Sequence, residues 1–260
     1  MPEWLKDLLD LFKPKPPGPS PGPRPNVQTL QYAPGLSLDF ASAGPGVKPL
    51  VILIHGGGWQ SGERRRMHPY APSLLAAGYH CASIDYRLAP ANRWPSQRED
   101  AVKAYQYLMG RSESLGIDRT RVAVVGKSSG GHIGAMLAMT TSAYIRCLAL
   151  VSAALDLNGV PTPKQDAALD ALFGERRSPH LMADASPVNH VRRSVPPTLL
   201  IHGGSDTYVT PSQSATMRRA LELAEVPNRF ELVFGEDHTF SQAAQEKERA
   251  WIVQWFKEHL

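Results

Sequence analysis

The sequence predicts an α/β fold with a mostly parallel sheet and helices on both of its faces. Two observations support this class. From about residue 50 onward, apolar stretches of strand length alternate with amphipathic stretches of helix length, and the strands are apolar throughout rather than at every second position. A chain of 260 residues with 42% hydrophobic residues is long enough to bury such a core. We therefore expect one domain over residues 26–260.

The apolar stretches define the expected elements. Strands are expected near 50–55, 79–84, 121–125, 146–151, 198–202 and 229–234. Helices are expected over about 65–77, 97–115, 129–141, 211–225 and 240–258. Before them, residues 26–42 are expected to form an antiparallel hairpin at the sheet edge.

Residues 155–195 interrupt the alternation, because they contain prolines and short polar runs but no clear strand. Ligands of α/β sheets bind beyond the carboxyl ends of the strands, so an insertion at this point is expected to form a small lid. The alternative is an ordinary long loop with a short helix at 166–173.

The N-terminus has an organisation of its own. Residues 1–13 have apolar side chains at helical spacing and predict an amphipathic helix. Residues 14–25 contain seven prolines and predict a stiff spacer. The helix either docks on its own domain or on a second copy of the chain, or it anchors the protein to a membrane surface or partner. Its balanced charges favour the first interpretation, and its exposed apolar residues over 4–12 suggest a homodimer contact. The segment also lacks the basic start of a signal peptide.

Composition excludes several classes. The net charge of +4 comes from scattered basic residues, so we expect a solvated surface and no nucleic-acid partner. Cys81 and Cys147 lie inside apolar runs and are expected to be free thiols rather than a disulfide or metal site. No stretch reaches the roughly 18 apolar residues of a membrane span. We expect a cytoplasmic protein for which a membrane is not a partner.

The stretch VVGKSSGGH, residues 124–132, places two serines between glycines after an apolar run. A phosphate-binding loop needs the pattern G-x-x-x-x-G-K-[ST], but Arg121 stands where its first glycine belongs. The residues instead fit G-x-S-x-G, in which the serine occupies a strained turn between a strand and a helix. The positions two residues to either side must be small, and choosing Ser129 would put Lys127 at one of them. Ser128 is therefore the predicted nucleophile.

A serine nucleophile needs a base to take its proton and a third group to orient that base. His238 lies between the last predicted strand and the last predicted helix, and Asp206 follows another predicted strand. The chain order Ser128, Asp206, His238 is one that known triads use. A solvent-exposed loop histidine is the alternative reading of His238.

Three other acids compete with Asp206 for the third role. Asp156 also follows a predicted strand, Asp237 is adjacent to the histidine, and Asp85 ends the second predicted strand. The side chain of Asp237 is too close in sequence to reach the ring comfortably. Asp85 is expected to pair with Arg87, so Asp206 is the preferred acid.

The reaction also needs donors for the negative oxygen of a tetrahedral intermediate. Three glycines directly follow the first strong strand, where bare backbone can approach a substrate. We expect the oxyanion hole to consist of the N–H groups of Gly57, Gly58 and Ser129. His55 is expected to hold this loop by hydrogen bonds, and Trp59 is expected to bind substrate on the acyl side of the pocket.

The chain resembles the α/β-hydrolase superfamily, and within it the carboxylesterases related to hormone-sensitive lipase and to bacterial feruloyl esterase and kynurenine formamidase-like enzymes. The resemblance covers the chain from about residue 50 to its end and rests on HGGGW, DYRLAP, WPSQREDAVKAYQYL, GIDRTRVAVVGKSSGGH, HGGSD and DHTF. It implies an α/β-hydrolase fold and a serine carboxylesterase that hydrolyses small or short-chain esters through an acyl-enzyme, without a metal or organic cofactor.

The chain departs from this group at two places. Lys127 stands where members often have an acidic residue, which changes the charge beside the predicted nucleophile. A proline-rich spacer stands where many members have a helical cap, so the pocket is expected to be more open.

Two alternatives to a carboxylesterase remain open. The same machinery suits an arylformamidase of the kynurenine formamidase-like kind, or another amide or peptide hydrolase. A protein of a different class would use the fold for binding without catalysis, although such proteins usually lack a triad or oxyanion element and all are present here. The expected partner is a small-molecule ester.

Overall fold

A computed structural model describes residues 27–159 and 161–260. The helix predicted over residues 1–13 and the spacer over 14–25 lie outside the described residues. Within the described part, eight strands form one sheet in the order β1-β2-β4-β3-β5-β6-β7-β8. The strands are β1 (Val27–Ala33), β2 (Leu36–Ala41), β3 (Lys48–Ile54), β4 (His80–Ile84), β5 (Ile117–Lys127), β6 (Cys147–Val151), β7 (Thr198–Gly203) and β8 (Asn228–Val233).

The sheet is mostly parallel, as the sequence predicts. The strands from β3 to β8 pair in parallel, and β1 and β2 form the expected antiparallel hairpin at one edge. The hairpin joins the sheet because β2 also pairs antiparallel with β4. Parallel strands of one sheet end at the same edge, so the loops after β3, β5, β7 and β8 come together there.

Side chains of the central strands pack against both faces of the sheet. In β3, Ile52 and Ile54 belong to one core cluster, whereas Val51 and Leu53 belong to another. This alternation buries the strand on both sides, which is why its sequence is apolar throughout. The order and direction of the strands, with helices around them, give the α/β-hydrolase architecture that the resemblance implies.

Helices cover the sheet. The α-helices are α1 (Ala71–Ala76), α2 (Ser96–Gly110), α3 (Ser112–Leu115), α4 (Ser129–Thr140), α5 (Pro163–Phe173), α6 (Pro179–Asp184), α7 (Ser212–Leu223) and α8 (Gln242–His259). Short 3-10 helices span Arg64–Tyr70, Gly174–Arg176 and Pro187–His190. None of the helices in residues 27–159 and 161–260 combines the length and the apolar character that crossing a membrane requires.

Two predicted helices differ from the observed ones. The helix expected over 65–77 begins as a 3-10 helix and becomes α-helical only at Ala71, since Pro69 and the proline in the first turn of α1 cannot donate backbone hydrogen bonds. The helix expected over 97–115 is divided into α2 and α3, because α2 ends at Gly110.

The interval 155–195 contains two α-helices and two 3-10 helices among its described residues, more than the one short helix of the alternative prediction. The side chain of Thr162 accepts a hydrogen bond from the backbone N–H of Gln165 and caps α5, so this helix begins before the expected residue 166. Leu169, Leu172 and Phe173 of α5 are buried in the first core cluster. The segment is thus packed as part of the domain, and a lid role for it stays a prediction.

Candidate active site

Ser128 lies in a strained turn between β5 and α4. Its φ of 54° and ψ of −123° fall where a residue with a side chain is rarely found. Neighbouring glycines make this turn possible. A Cβ on Gly126 would lie 2.6 Å from Gly131 Cα, and a Cβ on Gly130 would lie 2.5 Å from the backbone oxygen of His55. The motif therefore needs glycine at these two positions because the neighbouring backbone leaves no room for a Cβ.

His238 reaches Ser128 from the loop between β8 and α8. Its Nε2 lies 3.0 Å from Ser128 Oγ, and its Nδ1 lies 2.7 Å from Asp206 Oδ2. A carboxylate can only accept a hydrogen bond, so Nδ1 carries a proton and donates a hydrogen bond to Asp206. Nε2 is then left with its lone pair directed at the serine hydroxyl, which is the arrangement that a general base needs.

Asp206 is held rigidly on the loop after β7. Its Oδ1 accepts hydrogen bonds from the backbone N–H groups of Tyr208 and Val209, both at 2.9 Å. Burial acts to raise the pKa of this carboxyl, but hydrogen bonds from His202 and His238 outweigh burial and hold the pKa well below its usual range. Asp206 is therefore ionised at neutral pH.

His202 supports Asp206 and was not singled out in the sequence. Its Nε2 lies 2.8 Å from the backbone oxygen of Val209 and 3.3 Å from Asp206 Oδ2, which makes Nε2 the donor. Its Nδ1 then accepts a hydrogen bond from Ser214 Oγ at 2.7 Å. The spacing in HGGSD could have indicated the role of His202, because it places a buried strand residue four positions before the aspartate.

The competing acids lie elsewhere. The Asp237 carboxylate accepts hydrogen bonds from backbone N–H groups, including that of His238, rather than from the imidazole ring. Asp156 accepts hydrogen bonds from the backbone of its own turn. Asp85 pairs with Arg64 at 2.7 Å instead of with Arg87, which corrects the expected pairing. Arg87 binds Asp100 and Glu99 because α2 lies beside it.

The glycine loop after β3 faces this turn. Gly57 and Gly58 have φ values of 140° and 59°, and a Cβ on Gly57 would lie 2.6 Å from Ser61 C. Within residues 27–159 and 161–260, the N–H groups of Gly57, Gly58 and Ser129 donate no hydrogen bond to the chain. They are therefore available to a bound oxygen.

His55 holds the loop, as expected. Its ring stacks on Tyr86 with a centroid separation of 4.3 Å, and its Nδ1 donates to the Gly56 oxygen at 2.9 Å. Burial lowers the pKa of His55, so the ring is neutral and the hydrogen bond persists at neutral pH. The Tyr86 hydroxyl donates to the backbone oxygen of His55 at 2.9 Å.

The prediction that Trp59 binds substrate needs correction. The Trp59 side chain is only 2% exposed and does not line the cavity that contains Ser128. Its φ of 61° turns the ring beneath the loop, where the indole N–H donates to His132 Nδ1 at 3.1 Å. Burial lowers the pKa of His132 to about 4, so its ring is neutral and can accept this bond. Trp59 anchors the loop from below.

A cavity of about 550 Å³ opens onto Ser128 and His238. Its wall combines the glycine loop with side chains from the 3-10 helix before α1, the end of β5 and α8. The residues that line it are Gly56, Gly57, Gly58, Ser61, Arg66, Met67, Pro69, Tyr70, Lys127, Ser128, Tyr208, His238, Thr239, Gln245, Glu248 and Arg249. Its size suits a small organic molecule.

The chain is similar to one protein family and to several known proteins. Residues 38–221 match the BD-FAE family. The chain is 32% identical over 188 residues to Esterase LipC of Mycobacterium tuberculosis (strain ATCC 25618 / H37Rv), covering 64% of this chain and 46% of LipC. It is 37% identical over 91 residues to Carboxylesterase NlhH of the same strain, covering 35% of this chain and 28% of NlhH. The match thus spans less than half of the length of either relative.

A solved structure shares the fold. A truncated carbohydrate esterase from gut microbiota superposes with a TM-score of 0.80 at 20% sequence identity, covering 92% of this chain and 99% of that chain. At this level of identity the likeness concerns the fold alone.

Proposed function

The chain belongs to the BD-FAE family, and we propose that it is a serine carboxylesterase that hydrolyses small or short-chain carboxylic esters through an acyl-enzyme. The single observation that carries this proposal is the continuous hydrogen-bond chain from Ser128 Oγ through His238 to Asp206. The printed names of LipC and NlhH, an esterase and a carboxylesterase, support the same reaction class.

In the first half of the reaction, Ser128 Oγ attacks the ester carbonyl carbon while His238 Nε2 takes the hydroxyl proton. Asp206 holds the ring in the required tautomer and stabilises the imidazolium that forms. The oxygen that becomes negative accepts hydrogen bonds from the N–H groups of Gly57, Gly58 and Ser129. The bond to the alcohol then breaks, and His238 Nε2–H protonates the departing oxygen, which leaves an acyl-enzyme.

The second half repeats these steps with water. His238 Nε2 takes a proton from the water while the water oxygen attacks the acyl carbon. The tetrahedral intermediate collapses with loss of Ser128 Oγ, which recovers its proton from His238, and the carboxylic acid departs. Removing one oxyanion donor from such a site typically costs about 3 kcal/mol of transition-state stabilisation.

The alternatives find less support. An arylformamidase or another amide hydrolase would use the same three side chains, and nothing in the described residues or among the relatives favours it. A binding protein without activity would not need the free N–H groups, the strained serine and an ionised Asp206 held against His238.

The proposal is tested by hydrolysis of p-nitrophenyl acetate, butyrate and decanoate, with N-formylkynurenine in parallel. We expect turnover of the short esters and a fall of about 10⁴-fold or more in Ser128→Ala. Ser205→Ala is the matched control, since Ser205 is exposed and does not line the cavity. Preferred turnover of the formamide would replace the esterase proposal, and an active Ser128→Ala would remove the assigned nucleophile.

Further parts of the proposal concern the whole chain. Free, buried Cys81 and Cys147 suit a reducing compartment and support a cytoplasmic location.

The apolar face predicted for residues 1–13, which the spacer 14–25 connects to the domain, supports a homodimer. Deleting residues 1–25 should then reduce the assembly in solution from two chains to one, measured as mass by light scattering. A deletion variant that still has the mass of two chains, or a full-length protein that already has the mass of one, would contradict the dimer contact. A lid role for 155–195 predicts faster proteolysis there without substrate analogue than with it.

A further inference from the structure

The cavity beside Ser128 is lined by cations from three separate elements. Arg66 lies on the 3-10 helix before α1, Lys127 ends β5, and Arg249 lies on α8. These elements are distant in sequence, so the convergence of their positive charges is a product of the fold. Glu248 is the one carboxylate among the residues that line the cavity.

None of the three cations forms an ion pair with a carboxylate in the described part of the chain. No carboxylate among residues 27–159 and 161–260 lies within 4.0 Å of Arg66, Lys127 or Arg249. Lys127 Nζ instead lies 5.5 Å from the centre of the Phe240 ring. By contrast, Arg64, two residues before Arg66, forms ion pairs with two aspartates. Lys127 and Arg249 are also half-buried, so water satisfies them only in part.

Glu248 does not balance this charge. Its side chain is buried, and the Tyr70 hydroxyl donates a hydrogen bond to it. Burial raises the pKa of Glu248, and Lys127, that hydrogen bond and Arg249 only partly oppose the effect. Even with Glu248 fully ionised, three positive side chains face one negative one. A cavity with this balance attracts anions, because its walls exclude water and concentrate the field.

We propose that the ester bound in this cavity carries an anionic group, such as a carboxylate, which lies against Lys127, Arg249 and Arg66 while the ester carbonyl faces Ser128. This inference rests on the proposed esterase function and adds to it the charge of the substrate. Lys127 contributes most, because it is adjacent to the nucleophile in the chain and lines the same cavity.

Two pairs of matched esters test this proposal on the wild-type protein. Monomethyl adipate and dimethyl adipate differ in one charge on the acyl side, and kcat/KM of the diester is halved before comparison because it contains two equivalent methyl esters. 4-Acetoxybenzoate and its methyl ester differ in one charge on the alcohol side. We expect kcat/KM for the anionic member of at least one pair to exceed that of the neutral member by about tenfold, which corresponds to roughly 1.4 kcal/mol.

Added salt gives a second readout that needs no variant. At 0.5 M NaCl the preference should fall by about threefold, because salt screens charges that remain open to solvent. Equal kcat/KM for both members of both pairs, or a preference that salt does not change, would overturn the inference.

Lys127→Met removes the charge and keeps an unbranched side chain. It should lower the ratio of anionic to neutral kcat/KM by about fivefold, because Arg249 and Arg66 retain the rest of the preference. Lys247→Met is the matched control, because Lys247 is exposed on α8 and does not line the cavity. A ratio that stays the same in Lys127→Met, or falls equally in Lys247→Met, would count against the assignment.

Binding to Ser128→Ala separates this inference from the proposed function. Calorimetry on that variant measures the Kd of monomethyl and dimethyl adipate without turnover. If the wild type hydrolyses neither ester but the monoester binds about tenfold more tightly, the esterase proposal fails and the anion preference stands. If the diester is hydrolysed and the two Kd values are equal, the esterase proposal stands and the anion preference fails.

Discussion

Gly130→Ala should damage both stability and activity, because Gly130 packs directly against the backbone at the end of β3, which leads into the glycine loop. An added Cβ would lie 2.5 Å from the His55 backbone oxygen and closer still to that of Ile54. Real contacts of this kind are not shorter than 3.0 Å, so one of the two backbones must move by half an ångström or more. Overpacking of this sort costs about 1–3 kcal/mol of unfolding free energy.

The same movement changes the catalytic geometry. His55 directly precedes the glycine loop, so the displacement separates Gly57 and Gly58 from Ser128. A misplacement approaching 1 Å is enough to lower kcat by about 10²-fold. Urea unfolding and p-nitrophenyl butyrate hydrolysis measure the two effects on the same preparation.

Gly110→Ala provides the matched control. Gly110 is the exposed last residue of α2, and a Cβ there would meet nothing within 4 Å. The same substitution should therefore raise the unfolding free energy by about 0.4–1 kcal/mol and leave kcat unchanged. If Gly130→Ala behaved like Gly110→Ala in both assays, the argument that this glycine is required by backbone contact would be wrong.

Three further predictions concern charge and burial. Asp206→Asn should lower kcat by about 10³–10⁴-fold with KM little changed, because the amide no longer fixes the His238 tautomer; a loss under tenfold would contradict the role. The pKa of Asp206 is lowered on folding, so its stabilisation is present above the unfolded pKa of about 4 and is lost as pH falls. Urea unfolding between pH 7 and pH 3 should therefore show a smaller loss of stability in Asp206→Asn than in wild type, and equal losses would refute this. Burial raises the pKa of the Cys81 and Cys147 thiols to about 12, so iodoacetamide at pH 8 should label both only after unfolding, with labelling of the native protein as the contrary result.

Much of the architecture could be predicted because its signals are local. Strands buried on both faces are continuously apolar, which predicts β3, β5, β6 and β7 from their composition. The bounds were less predictable. β5 begins at Ile117 rather than near residue 121, because Ile117 pairs with Lys48 of β3 across a shift in register, a contact that forms only in the assembled sheet. Prolines and Gly110 divided two of the expected helices in a way that periodicity alone did not indicate.

The sequence by itself determined which side chains of the candidate site come together. The loops after β5, β7 and β8 must meet at one edge of a parallel sheet, so Ser128, Asp206 and His238 could be grouped from chain order and strand ends alone. A G-x-S-x-G motif encodes its own turn, because the steric demand on its glycines is local. Their roles in catalysis stay predictions until the variants are measured.

Only the tertiary structure decided where the other side chains point. Trp59 turns beneath its loop to His132, Asp85 binds Arg64, and Lys127 shares a cavity wall with Arg249. The residues of each pair are between 21 and 122 positions apart in the chain. Which of many distant partners a side chain meets depends on how elements pack across the sheet, and no short pattern in the chain encodes that packing.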